Sequence, residues 1–520
     1  MNVHLAYRDR DLDLEAQPPA NADALTQDLG LEILFGTMAR GDKYLYGVAR
    51  TTTFASLHDP GAIRYRQAVL ADCLAHPDVF RELYAITVAA LEGERHFWWH
   101  SDRYADTVVH GSIARIGAFV VKLRRLRDVA LELLDAVASE GFRRLFRELI
   151  DELDESYLRS IEAHLRRLQF RDGVLLSARL GTTNLDTAYV LRRRIERRGW
   201  RERIGFPEAE SHSWELHPRD MAGAEALGVL RGRGIAQAAG ALGESADHIR
   251  GYFSQLRAEL GFLVGCLNLH DALTAKGEPI CLPEPAPLRS VVLSARGLYD
   301  GCLSLALGTA RAVGSDIEAD GKQLLVVTGA NRGGKSTFLR SLGLAQLLLQ
   351  AGMFVPATSF RADVRDGLFT HFKREEDVSL RSGKLDEELG RMSTIADEAG
   401  PGSLVLLNES FASTNEREGS EIGRQIVRGL LEAGIKVGYV THMYDLASSL
   451  DAERNGEAAF LRAERLADGR RTFRIVPGEP LPTSHGADIY RRIFGDGADG
   501  AGSAPAAGVA VTEPERDAAS

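Results

Sequence analysis

Residues 324–339 read LLVVTGANRGGKSTFL, an apolar run followed by a glycine-rich loop and an amphipathic segment. The eight letters from Gly329 to Ser336 fit the pattern G-x-x-x-x-G-K-[ST], which binds phosphate when a buried strand precedes it and a helix follows it. Both conditions are met, because Leu324–Thr328 predicts a buried strand and residues 336–350 predict a helix. The glycines let backbone N–H groups approach a phosphate, and the helix N-terminus adds partial positive charge.

This loop predicts a site for a nucleoside triphosphate with Mg²⁺. Lys335 is expected to neutralise the β- and γ-phosphates, and the Ser336 hydroxyl to ligate Mg²⁺. ATP and Mg²⁺ are therefore the predicted cofactors. The predicted nucleotide-binding residues are Gly329, Ala330, Asn331, Arg332, Gly333, Gly334, Lys335, Ser336 and Thr337.

Two further segments are predicted to form strands, and each is followed by polar side chains that can act on a bound nucleotide. Residues 404–407 form an apolar run that is followed by Asn408 and Glu409, at the strand end where ligands bind in open α/β sheets. Glu409 is a candidate for orienting or activating the attacking water. Asn408 is a candidate metal ligand with Ser336, but a neutral amide supplies one negative charge less than an aspartate, which predicts slow hydrolysis. His442 follows the predicted strand at 436–440 and is a candidate sensor of the γ-phosphate beside Lys335 and Glu409, with a purely structural histidine as the alternative.

The remaining pattern predicts a multidomain chain with a mostly α-helical part followed by an α/β P-loop NTPase domain. At roughly 150 residues per domain, 520 residues correspond to about three domains. Helical periodicity covers most of 31–289, with a clear start at Asp59-Pro60 and strand-like runs inside an insert at about 165–215. Strands alternate with helices over 290–494, which predicts a parallel sheet. Residues 1–30 are expected to be a loosely ordered extension and residues 495–520 a disordered tail.

The cysteines and the hydropathy of the sequence indicate the cellular compartment in which the protein is expected. The four cysteines have no CxxC spacing, which favours reduced and mostly buried thiols. Residues 341–360 lack charge, and their length alone would fit a membrane span. Two glutamines, two glycines and Pro356 instead predict a buried helix that runs into a strand. With no apolar signal segment at the start, the expected location is cytoplasmic, without a membrane partner.

The motifs together resemble the MutS family of DNA mismatch-repair ATPases. VVTGANRGGKSTFLRSLGLAQLLLQAGMFVPA is similar to that family's TGxNxGGKST strand, loop and long helix, SLVLLNESFASTNEREG to its acidic strand end, and VTHMYDLA to its Thr-His segment. The resemblance implies an ABC-like ATPase, with ATP bound between two subunits of a homodimer and helical levers that carry the ATPase state to a DNA clamp. It also implies that Gly329–Ser336 bind the triphosphate, Glu409 directs hydrolysis and His442 senses it.

The chain departs from the family pattern at several places. The lever is expected to begin near Leu31, so the mismatch-reading and connector domains of the family are expected to be absent, and no C-terminal nuclease domain is visible. The subunit-bridging signature is expected near Ser382-Gly383-Lys384, where Leu385 and Asp386 replace the usual residues, so the residue that reaches the partner subunit's ATP is left open.

A reduced clamp is expected at about 165–215. It contains a run at 192–203 with seven arginines and two glutamates, although the whole chain carries a net charge of −10. The resemblance implies phosphate contacts by this run, and a solvated helix face is the alternative. The candidate DNA-contacting residues are Arg192, Arg193, Arg194, Arg197, Arg198, Trp200 and Arg201.

Three functions fit these observations. The first is an ATP-hydrolysing dimer that binds mismatched, branched or otherwise distorted DNA in repair or recombination. The second is a slow or non-hydrolytic ATP-dependent clamp or scaffold, which Asn408 favours. The third is an ATPase switch that acts on a protein partner without DNA, which the net acidity favours.

Overall fold

A computed structural model of the protein describes residues 2–95, 105–171, 173–180, 186–192, 212–374, 383–453, 456–466 and 470–480. The first half is helical, as the periodicity predicts. Its helices are α1 (Ala22–Leu29), α2 (Leu31–Ala39), α3 (Lys43–Phe54), α4 (Pro60–Ala75), α5 (Pro77–Arg95), α6 (Ala105–Leu133), α7 (Glu140–Glu152) and α8 (Glu155–Leu168). The predicted start of α4 is confirmed, because Asp59 accepts a hydrogen bond from the Ala62 N–H at 2.8 Å and Pro60 takes the first helical position.

A single long helix, α9 (Met221–Thr274), returns along this helical part. Its 54 residues span about 80 Å at roughly 1.5 Å per residue. The buried positions of α9 begin at Gly234, and helices α2, α5 and α6 pack on it. The N-terminal turns of α9 are exposed, so the helix extends beyond the helices that cover the rest of it.

The predicted strand runs near residue 180 form an antiparallel hairpin of β1 (Leu176–Leu180) and β2 (Asp186–Leu191). Leu176 is paired with Leu191 in this hairpin. A Cβ on Gly234 would lie 2.3 Å from a methyl carbon of Leu176, so the hairpin packs directly on α9 where that helix has no side chain. Residues 181–185 between the two strands, most of the arginine-rich run and the predicted tail at 495–520 lie outside the described residues.

The prediction that residues 1–30 are loosely ordered was wrong. Val3 and Leu5 are each 1% exposed, and α1 lies within this segment. The backbone N–H groups of Leu5, Ala6 and Leu12 donate to the carboxylate of Glu259 in α9, at distances of 2.5–3.0 Å. A buried carboxylate needs such donors, so α9 fixes a segment whose own composition suggests mobility.

The second half contains the predicted parallel sheet. Its strands lie in the order β12 (Arg471–Pro477), β11 (Ala458–Arg465), β6 (Leu324–Thr328), β10 (Lys436–Val440), β9 (Leu404–Asn408) and β8 (Leu368–Phe372). All neighbours are parallel except β12, which is antiparallel to β11. The accompanying helices are α10 (Gly301–Ala306), α11 (Lys335–Gln350), α12 (Lys384–Glu398), α13 (Glu416–Glu432) and α14 (Tyr444–Glu453).

A smaller second sheet accompanies the parallel one and was not predicted. It orders β3 (Glu284–Ala286), β7 (Ser359–Asp363), β4 (Leu293–Leu298) and β5 (Ser315–Glu318). Strand β4 is antiparallel to both β5 and β7. Because these strands are short and far apart in sequence, the alternation of strand and helix along the chain does not reveal their pairing.

The helical part and the α/β part share one hydrophobic core. At the end of α11, the Gln350 side-chain amide donates to the Ser56 hydroxyl at 2.8 Å and to the Arg365 carbonyl at 2.9 Å. The buried Arg66 guanidinium donates to the carbonyls of Ala6 and Ala351 at 2.9 and 3.1 Å. These hydrogen bonds tie the end of α11 to the helical part.

The uncharged segment at 341–360 is almost entirely buried inside the protein, as predicted. Among the described residues, no helix has the length and apolar character that a bilayer crossing requires. The four cysteines are free thiols, and burial raises the pKa of Cys281 to about 11 and of Cys302 to about 12. These thiols are consequently packing groups rather than nucleophiles at neutral pH.

Candidate nucleotide site

The glycine-rich loop connects β6 to α11 and adopts a backbone that requires glycine at two positions. Gly329 has φ +116° and Gly334 has φ +95°, and Arg332 between them is also left-handed at +59°. A Cβ on Gly334 would lie 2.8 Å from the Phe473 carbonyl oxygen, and one on Gly329 would lie 3.0 Å from the Ala463 nitrogen. The β11–β12 hairpin thus holds the loop closely enough to exclude side chains there.

Lys335 is folded against the loop it belongs to. Its ammonium group donates to the carbonyls of Gly329 and Ala330 at 2.9 and 3.1 Å, and the residue is 3% exposed. Burial lowers the pKa of Lys335, the Glu409 carboxylate opposes that shift, and the Arg471 guanidinium reinforces it. A phosphate placed at the loop would offer this buried cation anionic partners in place of neutral carbonyls.

The two predicted metal ligands touch each other. The Ser336 hydroxyl donates to the Asn408 side-chain oxygen at 2.9 Å. Two adjacent ligands of an octahedral Mg²⁺ at about 2.1 Å from the ion would lie about 3 Å apart. The spacing of these oxygens therefore fits a Mg²⁺ that takes its other ligands from phosphate and water. Within the described ranges, no group of three His, Cys, Asp or Glu side chains could hold a metal on its own.

Glu409 and His442 lie side by side at the carboxyl ends of β9 and β10. A Glu409 carboxylate oxygen is 4.0 Å from His442 Nδ1, and the side chains are 25% and 37% exposed. The Glu409 N–H donates to the Val440 carbonyl at 2.8 Å, and the Thr441 N–H donates to the Val327 carbonyl at 3.1 Å. These bonds bring the ends of three neighbouring strands together beside the loop.

The remaining sequence-predicted residues are placed as follows. Ala330, Asn331, Gly333 and Thr337 lie in the loop and the first turn of α11 with the residues above. Arg192 is exposed, and its guanidinium donates to the Ser177 hydroxyl at 2.7 Å. The other candidate DNA-contacting residues, Arg193, Arg194, Arg197, Arg198, Trp200 and Arg201, lie outside the described residues. Gly383 precedes the first residue of α12, Lys384, and Ser382 is outside the described range.

Sequence reasoning missed a buried cluster directly behind Glu409. The His371 ring on β8 stacks on Phe411 with a centroid distance of 5.4 Å, and its Nδ1 lies 2.7 Å from the Ser410 hydroxyl. Glu388 on α12 accepts a hydrogen bond from the Phe411 N–H at 2.7 Å. The sequence offered one weak signal for this cluster, the histidine in the strand LFTHF. The pattern of apolar and polar residues places this histidine in the core but does not show which residues it contacts.

Sequence reasoning also missed β12 as part of the site. Besides the contact of Phe473 with Gly334, the Ile475 N–H donates to the Ser315 hydroxyl at 3.0 Å. Ser315 is the first residue of β5. Strand β12 thus joins the glycine-rich loop to β5, although it is distant from both along the chain.

Comparison with known proteins matches two family models to this chain. The model described as MutS2 N-terminal domain matches residues 58–276, and the one described as MutS domain V matches residues 325–491. The second match contains the loop, Asn408, Glu409 and His442.

Three relatives illustrate the similarity. DNA mismatch repair protein MutS of Chloroflexus aurantiacus is 29% identical over 184 residues, which is 32% of this chain and 19% of the relative. DNA mismatch repair protein MutS 2 of Haloarcula marismortui is 34% identical over 34% of this chain and 19% of the relative. Endonuclease MutS2 of Thermus thermophilus is 31% identical over 33% of this chain and 23% of the relative. The matched part of the chain spans about a fifth of the length of these curated relatives.

Proposed function

This chain belongs to the MutS family, and on that premise we propose that it is an ATPase that binds DNA. One observation carries the ATPase part of the proposal: Lys335, Ser336, Asn408, Glu409 and His442 converge at one edge of the parallel sheet. The family matches support the DNA part. We further propose that the protein acts as a homodimer on mismatched, branched or otherwise distorted duplex in repair or recombination.

Each residue of the site has a separate role in the proposed hydrolysis. Lys335 exchanges the carbonyls of Gly329 and Ala330 for phosphate oxygens, which suits a buried cation better. Ser336 and Asn408 would hold Mg²⁺, which would neutralise charge on the phosphates when bound. Glu409 orients and activates the attacking water, and His442, 4.0 Å from it, contacts the γ-phosphate side.

The ATPase part is tested by steady-state hydrolysis with Glu409→Gln. The amide keeps the shape of Glu409 but cannot accept a proton, so we expect kcat to fall about 100-fold or more. Binding of a fluorescent ATP analogue should change little, because the loop and Lys335 are intact. Glu432→Gln, an exposed carboxylate on α13, is the matched control and should behave as the wild type. Equal rates for wild type and Glu409→Gln would remove Glu409 from hydrolysis.

A second candidate function is a slow or non-hydrolytic ATP-dependent clamp. The hydrogen bond from Ser336 to the Asn408 amide favours it, because the metal would meet two neutral oxygens at this place. A wild type that binds ATP tightly but turns it over no faster than Glu409→Gln would favour this second function over the first.

A further inference from the structure

The chain turns sharply just after β9, in a backbone conformation that side chains disfavour. Glu409 has φ +53° and Phe411 has φ +62°, both in the left-handed region. In that region the Cβ of an L-residue comes too close to the following carbonyl oxygen. Strained residues persist only where the surrounding structure over-determines them, and they cluster at functional sites. The contacts that hold this turn therefore indicate which residues keep Glu409 in its conformation.

Glu388 holds the turn from α12. One of its carboxylate oxygens accepts the Phe411 N–H at 2.7 Å, and the residue is 4% exposed. Among the described side chains, its other carboxylate oxygen is buried without a hydrogen-bond partner. Burial of a carboxylate is costly when its oxygens are not all satisfied. An apolar side chain would pack the core at lower cost, so packing alone does not account for Glu388.

His371 and Tyr439 hold the same turn from two strands. His371 Nε2 lies 3.0 Å from the Glu388 carbonyl oxygen, which can only accept, so Nε2 carries the proton. The Ser410 hydroxyl lies 2.7 Å from Nδ1 of this ring and 2.8 Å from the His371 carbonyl oxygen, so its single proton is shared between two nearby acceptors. The Tyr439 hydroxyl donates to the Ser410 carbonyl at 2.9 Å. Ser410 and Phe411 are thus bonded to β8, β10 and α12.

We propose that Glu388 is a positioning residue for hydrolysis, which keeps Phe411 and therefore Glu409 in the left-handed conformation that directs the Glu409 carboxylate into the nucleotide site. The proposal rests on the proposed function, since it takes Glu409 to act on the water. Glu388 belongs to α12, whereas Lys335 and Ser336 belong to α11. A displacement of α12 would consequently change the rate of hydrolysis while nucleotide binding stays the same.

The test is a set of three variants of the full chain, measured for kcat and KM with Mg-ATP. A misplacement of about 1 Å in a catalytic group lowers turnover by up to about 100-fold. We therefore expect Glu388→Ala to lower kcat at least about tenfold, with KM changed less than about twofold. Glu388→Gln keeps an oxygen that can accept the Phe411 N–H and should retain most of kcat. Asp397→Ala, which removes an exposed carboxylate from the same helix, is the matched control and should match the wild type.

Three results would overturn the proposal: an unchanged kcat in Glu388→Ala, an equal loss in Glu388→Gln, or a loss that appears in KM. If Glu388→Ala does not fold, as judged by thermal denaturation, Glu388→Asp takes its place. It keeps the charge, but its shorter side chain cannot span the 2.7 Å hydrogen bond, so an unchanged kcat there overturns the proposal as well. Failure of the proposed function would give a different result, namely equal rates of ATP hydrolysis for wild type and Glu409→Gln.

Discussion

Asn408 is the proposed metal ligand whose charge would decide how strongly this site binds Mg²⁺. It emerges from the end of β9 and accepts a hydrogen bond from Ser336 at 2.9 Å. An aspartate there would keep the oxygen in the same place and add a full charge within a few ångströms of Mg²⁺. A neutral amide gives a weaker metal site and less control over the phosphate charge.

We predict that Asn408→Asp lowers the Mg²⁺ concentration needed for half-maximal ATPase by at least about tenfold, because a unit charge beside a divalent ion attracts it strongly even at high effective dielectric. The measurement is a Mg²⁺ titration of hydrolysis at fixed ATP. Asn415→Asp is the control, because Asn415 caps α13 and aspartate caps a helix equally well. A titration curve that does not move in Asn408→Asp would show that this side chain does not bind the metal.

At the scale of single residues, the sequence predicted the grouping at the sheet edge and missed the cluster behind it. Glu409 and His442 could be placed because each follows an apolar strand closely. Glu388 could not, because its partner Phe411 is 23 residues away and the contact depends on where α12 lies against the sheet.

Strand β8 carries a buried histidine that links folding to pH. Burial, together with the nearby Arg391 and Arg374, lowers the pKa of His371 from its usual 6.5 to about 4. Between these values, unfolded chains take up a proton on this ring and folded ones do not. The stabilising contribution of the neutral ring is therefore complete above pH 6.5 and is lost as the pH falls toward 4.

We predict that His371 contributes about 2 kcal/mol to the loss of unfolding free energy between pH 7 and pH 5. His371→Gln should lower the stability at pH 7 and should lose about 2 kcal/mol less than the wild type on acidification. Denaturant unfolding at both pH values measures this difference. His164→Gln, an exposed histidine on α8, serves as the control. Identical pH dependence in wild type and His371→Gln would contradict the prediction.

At the scale of elements, prediction succeeded where the signal was local. The strands β6, β9 and β10 begin at the residues that the apolar runs indicate, and the hairpin of β1 and β2 falls where the helical period breaks. The second sheet was missed, because β3 pairs with β7 only after several intervening strands and helices, and no local pattern records such a pairing. Residues 1–30 were expected to be loosely ordered, but hydrogen bonds from their backbone N–H groups to Glu259 hold the segment in place.

The whole molecule combines a net charge of −10 with a basic run at 192–203. An acidic protein can still bind DNA through a local basic surface, since association depends on where the charges lie. The long helix α9 packs against the β1–β2 hairpin and belongs to the core that surrounds α11. This packing connects the core around α11 with the hairpin end of the molecule.

We predict that binding to branched or mismatched duplex weakens with salt, with a slope of log K against log salt of about −0.9 for each phosphate contact. Replacing Arg193, Arg194, Arg197 and Arg198 by alanine should make the slope shallower by about 0.9 for each phosphate that is no longer neutralised. Replacing Arg159 and Arg166, which are exposed on α8, is the control. The titrations are run with and without ATP.

Two outcomes of these titrations would count against DNA as the partner. They are a flat dependence on salt and an absence of binding at low salt. Either would leave the ATPase site intact and would favour a switch that acts on a protein partner.

The sequence by itself determined the nucleotide loop, the strands that flank it and the order of the helical and α/β parts. These features follow from residues that are neighbours along the chain: an apolar run, glycines with free φ, and a helix that starts on a lysine. Only the tertiary structure showed which distant groups hold the site and the N-terminal segment in place. Glu388 accepts a hydrogen bond from Phe411, Phe473 packs against Gly334, and Glu259 accepts hydrogen bonds from the N-terminal segment. Those contacts depend on strand order and helix packing, because they join residues that are distant along the chain and become neighbours only when the sheet and α9 are in place.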